Sequence, residues 1–185
     1  MTEGDTIESR LSFLGSLRAV REFRAEDVPK EVVDTVLEVA RLSGSASNRQ
    51  PWELVVVRER STLGALAAVE GYADHLAGAA LGIVPVMLGE RAEQEAYDEG
   101  RLCERIMLAA WAHGVGSSIG WFVRDGRTEA AKILGAPEGR TIRTAISLGY
   151  PEEGRRRGRG PVRKPLSEMA FWERYGETSP RSSNA

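Results

Sequence analysis

Ser45, Ser47, Asn48, Arg49 and Gln50 bring hydroxyl, carboxamide and guanidinium groups together in one short segment. Gly44 leaves the backbone ahead of them free to bend, and Pro51-Trp52 closes the segment before the apolar run Leu54-Val55-Val56-Val57. These groups suit a polar, hydrogen-bonding ligand. They do not suit a metal, which would want His, Cys or carboxylates. The same residues could equally make a solvated turn whose Pro51 and Trp52 anchor the strand that follows.

A second set of candidates is basic. Arg18 and Arg21 share the segment Leu17-Arg18-Ala19-Val20-Arg21-Glu22-Phe23. An arginine fork matches phosphate oxygens and its charge does not titrate away, although two surface arginines at a helix end would look the same. Downstream, Arg155 to Pro165 is a basic, Gly-rich tract that includes Arg163 and Lys164. As a nucleic-acid arm it is short, and it has no aromatic residues interleaved for base stacking.

Other chemistries find little support. Gly114 to Trp121 has its glycines as G-x-G-x-x-x-G after a helical stretch, so the dinucleotide-binding fingerprint is rejected. There is no H-E-x-x-H or C-x-x-C. With His75 and His113 present, composition alone leaves a Ser-His-Asp hydrolase open. The single cysteine, Cys103, excludes an internal disulfide and sits in an apolar helical stretch, where a buried structural thiol is expected. A net charge of −2 and a pI near 5.8 give no general drive towards nucleic acid or membranes. No stretch approaches the ~18 uninterrupted apolar residues of a membrane span, and the N-terminus has no apolar signal region, so a cytoplasmic protein is expected.

The elements that must carry these groups follow from periodicity. Ile7, Leu11 and Leu14 predict a short helix before Gly15, and Val32, Val33, Val36, Leu37 and Ala40 predict another from Pro29 to about Leu42. Leu54 to Val57 reads as a buried strand, with Ser61 as N-cap of a helix through Val69. Tyr72 to Ala80 reads as helical. Ala79 to Leu88 reads as a strand, in which Pro85 argues for an edge or an irregularity. Gln94 to Tyr97 is expected to be a polar, exposed, mobile segment. Arg101 to His113 is a helix with too many apolar positions for one stripe, and must be buried on more than one side. Thr128 to Leu134 is a helix stopped by Gly135, and Ile142 to Leu148 is a strand.

Four segments in order carry a resemblance. Ser45-Ala46-Ser47-Asn48-Arg49-Gln50-Pro51-Trp52 resembles the P-S-x-x-N-x-Q-P-W signature of the nitroreductase family, with Gly44 in place of the usual Pro. Leu17 to Phe23 resembles R-R-S-x-R-x-F, with Leu17 and Ala19 in place of a common Arg and Ser. Gly114 to Phe122 and Gly149-Tyr150-Pro151 match two further family segments, and the whole spans most of Arg18 to Trp172. The resemblance implies an α+β fold, a central and mostly antiparallel sheet flanked by helices, in a homodimer with an exchanged C-terminal segment that uses Leu166, Met169, Phe171 and Trp172. Length and composition place one domain over 1–176 and a disordered tail over 177–185.

By resemblance, Arg18, Arg21 and Arg163 would meet the phosphate of FMN, with Lys164 a weaker candidate. Ser45, Asn48 and Gln50 would meet its ribityl chain or ring from the opposite subunit. A backbone N–H at or near Trp121 would face flavin N5. Tyr72 and His75 stand where the family often has Asn and Lys; His75 could face the ring but reads more readily as a surface histidine. The implied reaction is hydride transfer from NAD(P)H through flavin to a small-molecule acceptor such as a nitroaromatic or quinone, by a ping-pong mechanism. Two rivals are a specialised flavoprotein of the same fold, for flavin fragmentation or dehalogenation, and a non-catalytic scaffold dimer.

Overall fold

The computed structural model describes residues 6–152 and 163–177. Its regular elements run α1 (Ile7–Ser16), α2 (Lys30–Arg41), β1 (Trp52–Val57), α3 (Arg60–Ala67), β2 (Leu81–Met87), α4 (Ala92–Ala112), β3 (Gly116–Trp121), α5 (Asp125–Leu134) and β4 (Thr144–Gly149). The strands form one sheet in the order β1-β2-β4-β3, and each neighbouring pair is antiparallel. The α+β expectation is met.

The sheet lies between two helical layers because its strands present apolar residues to both sides. Leu81, Ile83, Ile146 and Leu148 pack with Val33, Val36 and Ala40 of α2 and Leu102, Ile106 and Ala110 of α4. Val84, Val86 and Ala145, one residue out of phase, pack with Leu63 and Leu66 of α3 and Ala130 of α5. α4 is buried on more than one side, as its apolar density requires. α5 ends at Gly135, whose φ of 65° is the left-handed stop a glycine allows.

Several expectations change. β1 is an edge strand, so Leu54 and Val55 are only half-buried and Val56 is exposed. β2, despite Pro85, is central and buried throughout. Met87 exchanges hydrogen bonds with Thr141, at 2.9 and 3.0 Å, which turns its N–H away from β1. By alternation Pro85 also lacks its N–H on that side, past the end of the β2–β4 ladder at Ile83, where no ladder bond is lost. Ser61 lies inside α3, which has Glu59 at its N-cap. Between Tyr72 and Ala80 only a single 3₁₀ turn forms, Asp74–Gly78. Gln94 to Tyr97 is not a loop but the first turns of α4, which begins well before Arg101. α1 forms as expected, yet it buries none of its residues: Ile7, Leu11 and Leu14 all face outward.

The chain divides into two compact units, Met1–Glu153 and Gly154–Ala185. In the second, Leu166–Glu168 makes a 3₁₀ turn and the rings of Phe171 and Tyr175 meet at 4.7 Å. Leu166, Met169 and Trp172 are exposed there. The basic tract from Arg155 through Val162, and all of the expected tail except Glu177, lie outside the described residues.

Candidate functional site

The polar segment ahead of β1 is a built loop. Ala46–Asn48 forms a 3₁₀ turn, and Ser47, Asn48 and Gln50 hold φ values of 51°, 53° and 49°. Three non-glycine residues in the left-handed region within four positions is a strained arrangement that the surroundings must enforce. Part of the enforcement is internal: the Gln50 N–H donates to Ser45 Oγ at 2.8 Å, and Gln50 Nε2 donates to the Asn48 carbonyl at 3.3 Å. Part comes from outside, since Arg49 pairs with Glu90 and the Ala46 N–H points at the Asp98 carboxylate of α4. Ser47, Asn48 and Gln50 remain exposed. Gly44, where the family motif has Pro, carries the Arg101 guanidinium so closely that a Cβ would run into it.

The arginine segment lies along the other edge of the sheet. Ala19 bridges Ser117 and the Val20 N–H donates to the Ser117 carbonyl at 2.8 Å, so Leu17 to Phe23 runs beside β3. Gly116 permits this, because a Cβ there would come within 2.7 Å of the Val20 Cβ. Gly120 likewise admits Ala73, 2.7 Å from where its Cβ would be. These two glycines serve close packing, which accounts for the run without any dinucleotide. Arg18 and Arg21 are both exposed, and among the described residues no carboxylate pairs with either. Arg18 donates to the Gly15 and Leu17 carbonyls at 2.8 and 2.7 Å.

Trp121 closes β3 with an exposed side chain. Phe122 donates its N–H to the Arg143 carbonyl at 2.8 Å, towards β4. Trp121, one residue earlier, therefore directs its own N–H and C=O away from β4, and the carbonyl accepts the Tyr72 N–H at 2.7 Å. The backbone at this position can thus offer a donor at the sheet edge, whatever the side chain.

His75 is not a surface histidine: it is 7% exposed, and its Nδ1 lies 2.7 Å from Ser147 Oγ. Ser147 pairs with Ser118 across the sheet, on the face opposite Trp121 and Thr144. Burial first, and then the nearby Arg21 charge, lower the His75 pKa, against a smaller opposing pull from Asp74 and the carbonyls of Ile119 and Tyr72. The neutral imidazole belongs to the fold. Cys103 is buried as expected; burial drives its pKa to about 12 although Thr144 Oγ1 lies 3.7 Å away.

One charged cluster has no counterpart in the sequence reading. Glu95, Asp98 and Glu99 of α4 are all buried, as is Arg143 just ahead of β4. Glu99 takes Arg143 Nε at 2.8 Å and Thr144 Oγ1 at 2.7 Å. Glu95 reaches back to accept the N–H groups of Gly89, Glu90 and Arg91 at 2.9 to 3.0 Å, ahead of the first turn of α4. Burial pushes the Glu95 carboxyl up, but those three donors and the Arg143 charge together outweigh it and hold its pKa below the ordinary range. Among the described residues no group of His, Cys, Asp and Glu could hold a metal ion, and no helix is long and apolar enough to cross a membrane.

The family model for nitroreductases matches residues 16–99. A curated Archaeoglobus fulgidus protein, provisionally named an NADH dehydrogenase/NAD(P)H nitroreductase, is 30% identical over 154 residues, 80% of this chain and 88% of its own. The chain belongs to the nitroreductase family. The NADH dehydrogenase of Thermus thermophilus is 28% identical over 192 residues, covering 84% of this chain and 91% of that protein. The FMN-dependent nitroreductase of Clostridium difficile R20291 matches with a TM-score of 0.74 at 26% identity, over 79% of this chain and 90% of that one.

As a nitroreductase-family fold, the structure brings part of the expected site together. Arg18, Arg21 and Trp121 share the β3 edge, whereas Ser45, Asn48 and Gln50 sit ahead of β1, at the opposite edge with two strands between. Three strand spacings amount to roughly 14 Å. Arg163 is exposed in the second unit.

Proposed function

We propose that this protein is an FMN-dependent NAD(P)H oxidoreductase that reduces a small oxidised acceptor, a nitroaromatic or quinone, by a ping-pong mechanism. The observation that carries this reading is the β3 edge: exposed arginines without carboxylate partners among the described residues lie along the strand whose end turns the Trp121 N–H outward. That donor set fits a group with a phosphate at one end and a hydrogen-bond acceptor at the other. Arg18 and Arg21 would hold the phosphate, and the Trp121 N–H would fix the reactive edge of the ring. When bound, FMN supplies hydride acceptance from NAD(P)H and its delivery to the second substrate. The chain's own part is to bind and orient, and no acid, base or nucleophile is assigned.

A homodimer completes the site in this reading. Ser45, Asn48 and Gln50 stand at the far edge from the arginines, so a second copy would present them. The outward Ile7, Leu11 and Leu14 of α1, and the exposed Leu166, Met169 and Trp172, offer apolar surface for that partner and for an exchanged C-terminal segment. The test is FMN uptake: the purified chain should carry or take up one FMN per protomer and elute as a dimer. A chain that takes up no flavin would overturn the proposal.

A further inference from the structure

We infer that Asp98 is a positioning residue that holds the Gly44–Gln50 loop in its binding geometry, and the inference rests on reading that loop as part of the flavin site. Asp98 is 4% exposed, and its two oxygens lie 3.1 and 3.3 Å from the Ala46 N–H, 52 residues away in the chain. Arg101, one turn on, stands 3.6 Å from the same carboxylate and covers Gly44. One turn of α4 therefore grips the loop at Gly44 and at Ala46, on either side of Ser45. Immediately after this grip come Ser47, Asn48 and Gln50 with their positive φ values. Left-handed backbone at three non-glycine residues is unfavourable, so the loop would relax without an anchor. A carboxylate accepting a backbone N–H is a charge-assisted bond, stronger than a neutral one, and suits that task. Gly44 in place of the family's Pro lets the Arg101 guanidinium lie directly over the loop, where a Cβ would push it aside.

Amide hydrogen exchange on the flavin-free protein reads the grip directly. Asp98→Ala should speed exchange across residues 45–50 at least tenfold while β2 and the apolar half of α4 keep their protection; Asp98→Asn, which retains an acceptor oxygen, should restore most of it. Unchanged protection of residues 45–50 in Asp98→Ala overturns the inference, and so does equal loss across the whole fold in both variants. FMN affinity then separates the inference from the reading beneath it. Asp98→Ala should weaken FMN about tenfold in the otherwise native chain and add nothing in an Asn48→Ala background, where the loop's contact is already gone. A loop that loosens while FMN affinity stays constant in both Asp98→Ala and Asn48→Ala would sink the flavin assignment of the loop, with the grip itself intact. A tenfold loss that persists undiminished in Asn48→Ala would overturn action through the loop.

Discussion

His75 Nδ1 lies 2.7 Å from Ser147 Oγ, which ties the turn after α3 to the central strand β4 beneath the sheet. Burial and Arg21 lower the imidazole pKa, so the folded state binds fewer protons than the unfolded chain wherever an unfolded histidine is protonated. The contribution is whole above about pH 6.5 and declines as pH falls below it, by at most about 1.4 kcal/mol per unit. Urea denaturation at pH 7.5, 6.5 and 5.5 should show this decline, and His75→Gln should flatten it. An unchanged slope in the variant would assign the effect elsewhere.

Glu99 and Arg143 form a buried pair whose worth lies in its completeness. Glu99→Ala leaves the buried Arg143 guanidinium with only the more distant Glu95 carboxylate, at 4.0 Å, and should destabilise the protein by about 3–5 kcal/mol. Replacing both, as Glu99→Leu with Arg143→Met, should return much of that loss, because two apolar groups have no charge to desolvate. Equilibrium urea unfolding of the single and double variants decides it; a double variant as unstable as Glu99→Ala would assign the loss to Glu95, which Arg143→Met leaves buried without its positive neighbour.

Gly120 should tolerate no side chain. The Cβ of Gly120→Ala would sit 2.7 Å from the Ala73 Cβ and 2.8 Å from its Cα, and the overpacking should cost about 1–3 kcal/mol. Gly78→Ala, with open space at its Cβ, is the control and should stay within about 0.5 kcal/mol. Thermal melts of both give the comparison.

Much of this architecture was legible before the structure. The helical stripes of α2 and the second half of α4, the apolar β1 and β4, and the Gly135 stop all follow from spacing. What periodicity alone could not convey was order within the sheet, so the central place of β2 was hidden behind Pro85 and the edge place of β1 behind its valines. The start of α4 carries a signal in the sequence. Glu95, Asp98 and Glu99 continue the stripe of Leu102 and Ile106 at steps of three and four, but acids at such positions read as a solvated segment unless their partners are known. Of those partners, Ala46 and Arg143 come from elsewhere in the fold, and the Gly89–Arg91 amides lie just ahead of α4. His75 is likewise partnered at long range, by Ser147, 72 residues away.

Arg21→Ala tests the phosphate end of the site. Loss of one charge-assisted contact of about 1.5–3 kcal/mol should weaken FMN by roughly 10- to 100-fold, with little change in thermal stability of the flavin-free chain. Fluorescence titration of apoprotein with FMN measures it. Unchanged affinity would place the phosphate away from Arg21.

The central claim is that flavin bound to this chain exchanges hydride with a nicotinamide. The protein, purified and loaded with FMN, is titrated anaerobically with NADH and then NADPH while its visible spectrum is followed. The account predicts that the oxidised flavin bands bleach with at least one of the two and return on addition of a quinone or nitroarene. Bound flavin that stays oxidised with both nucleotides would contradict it.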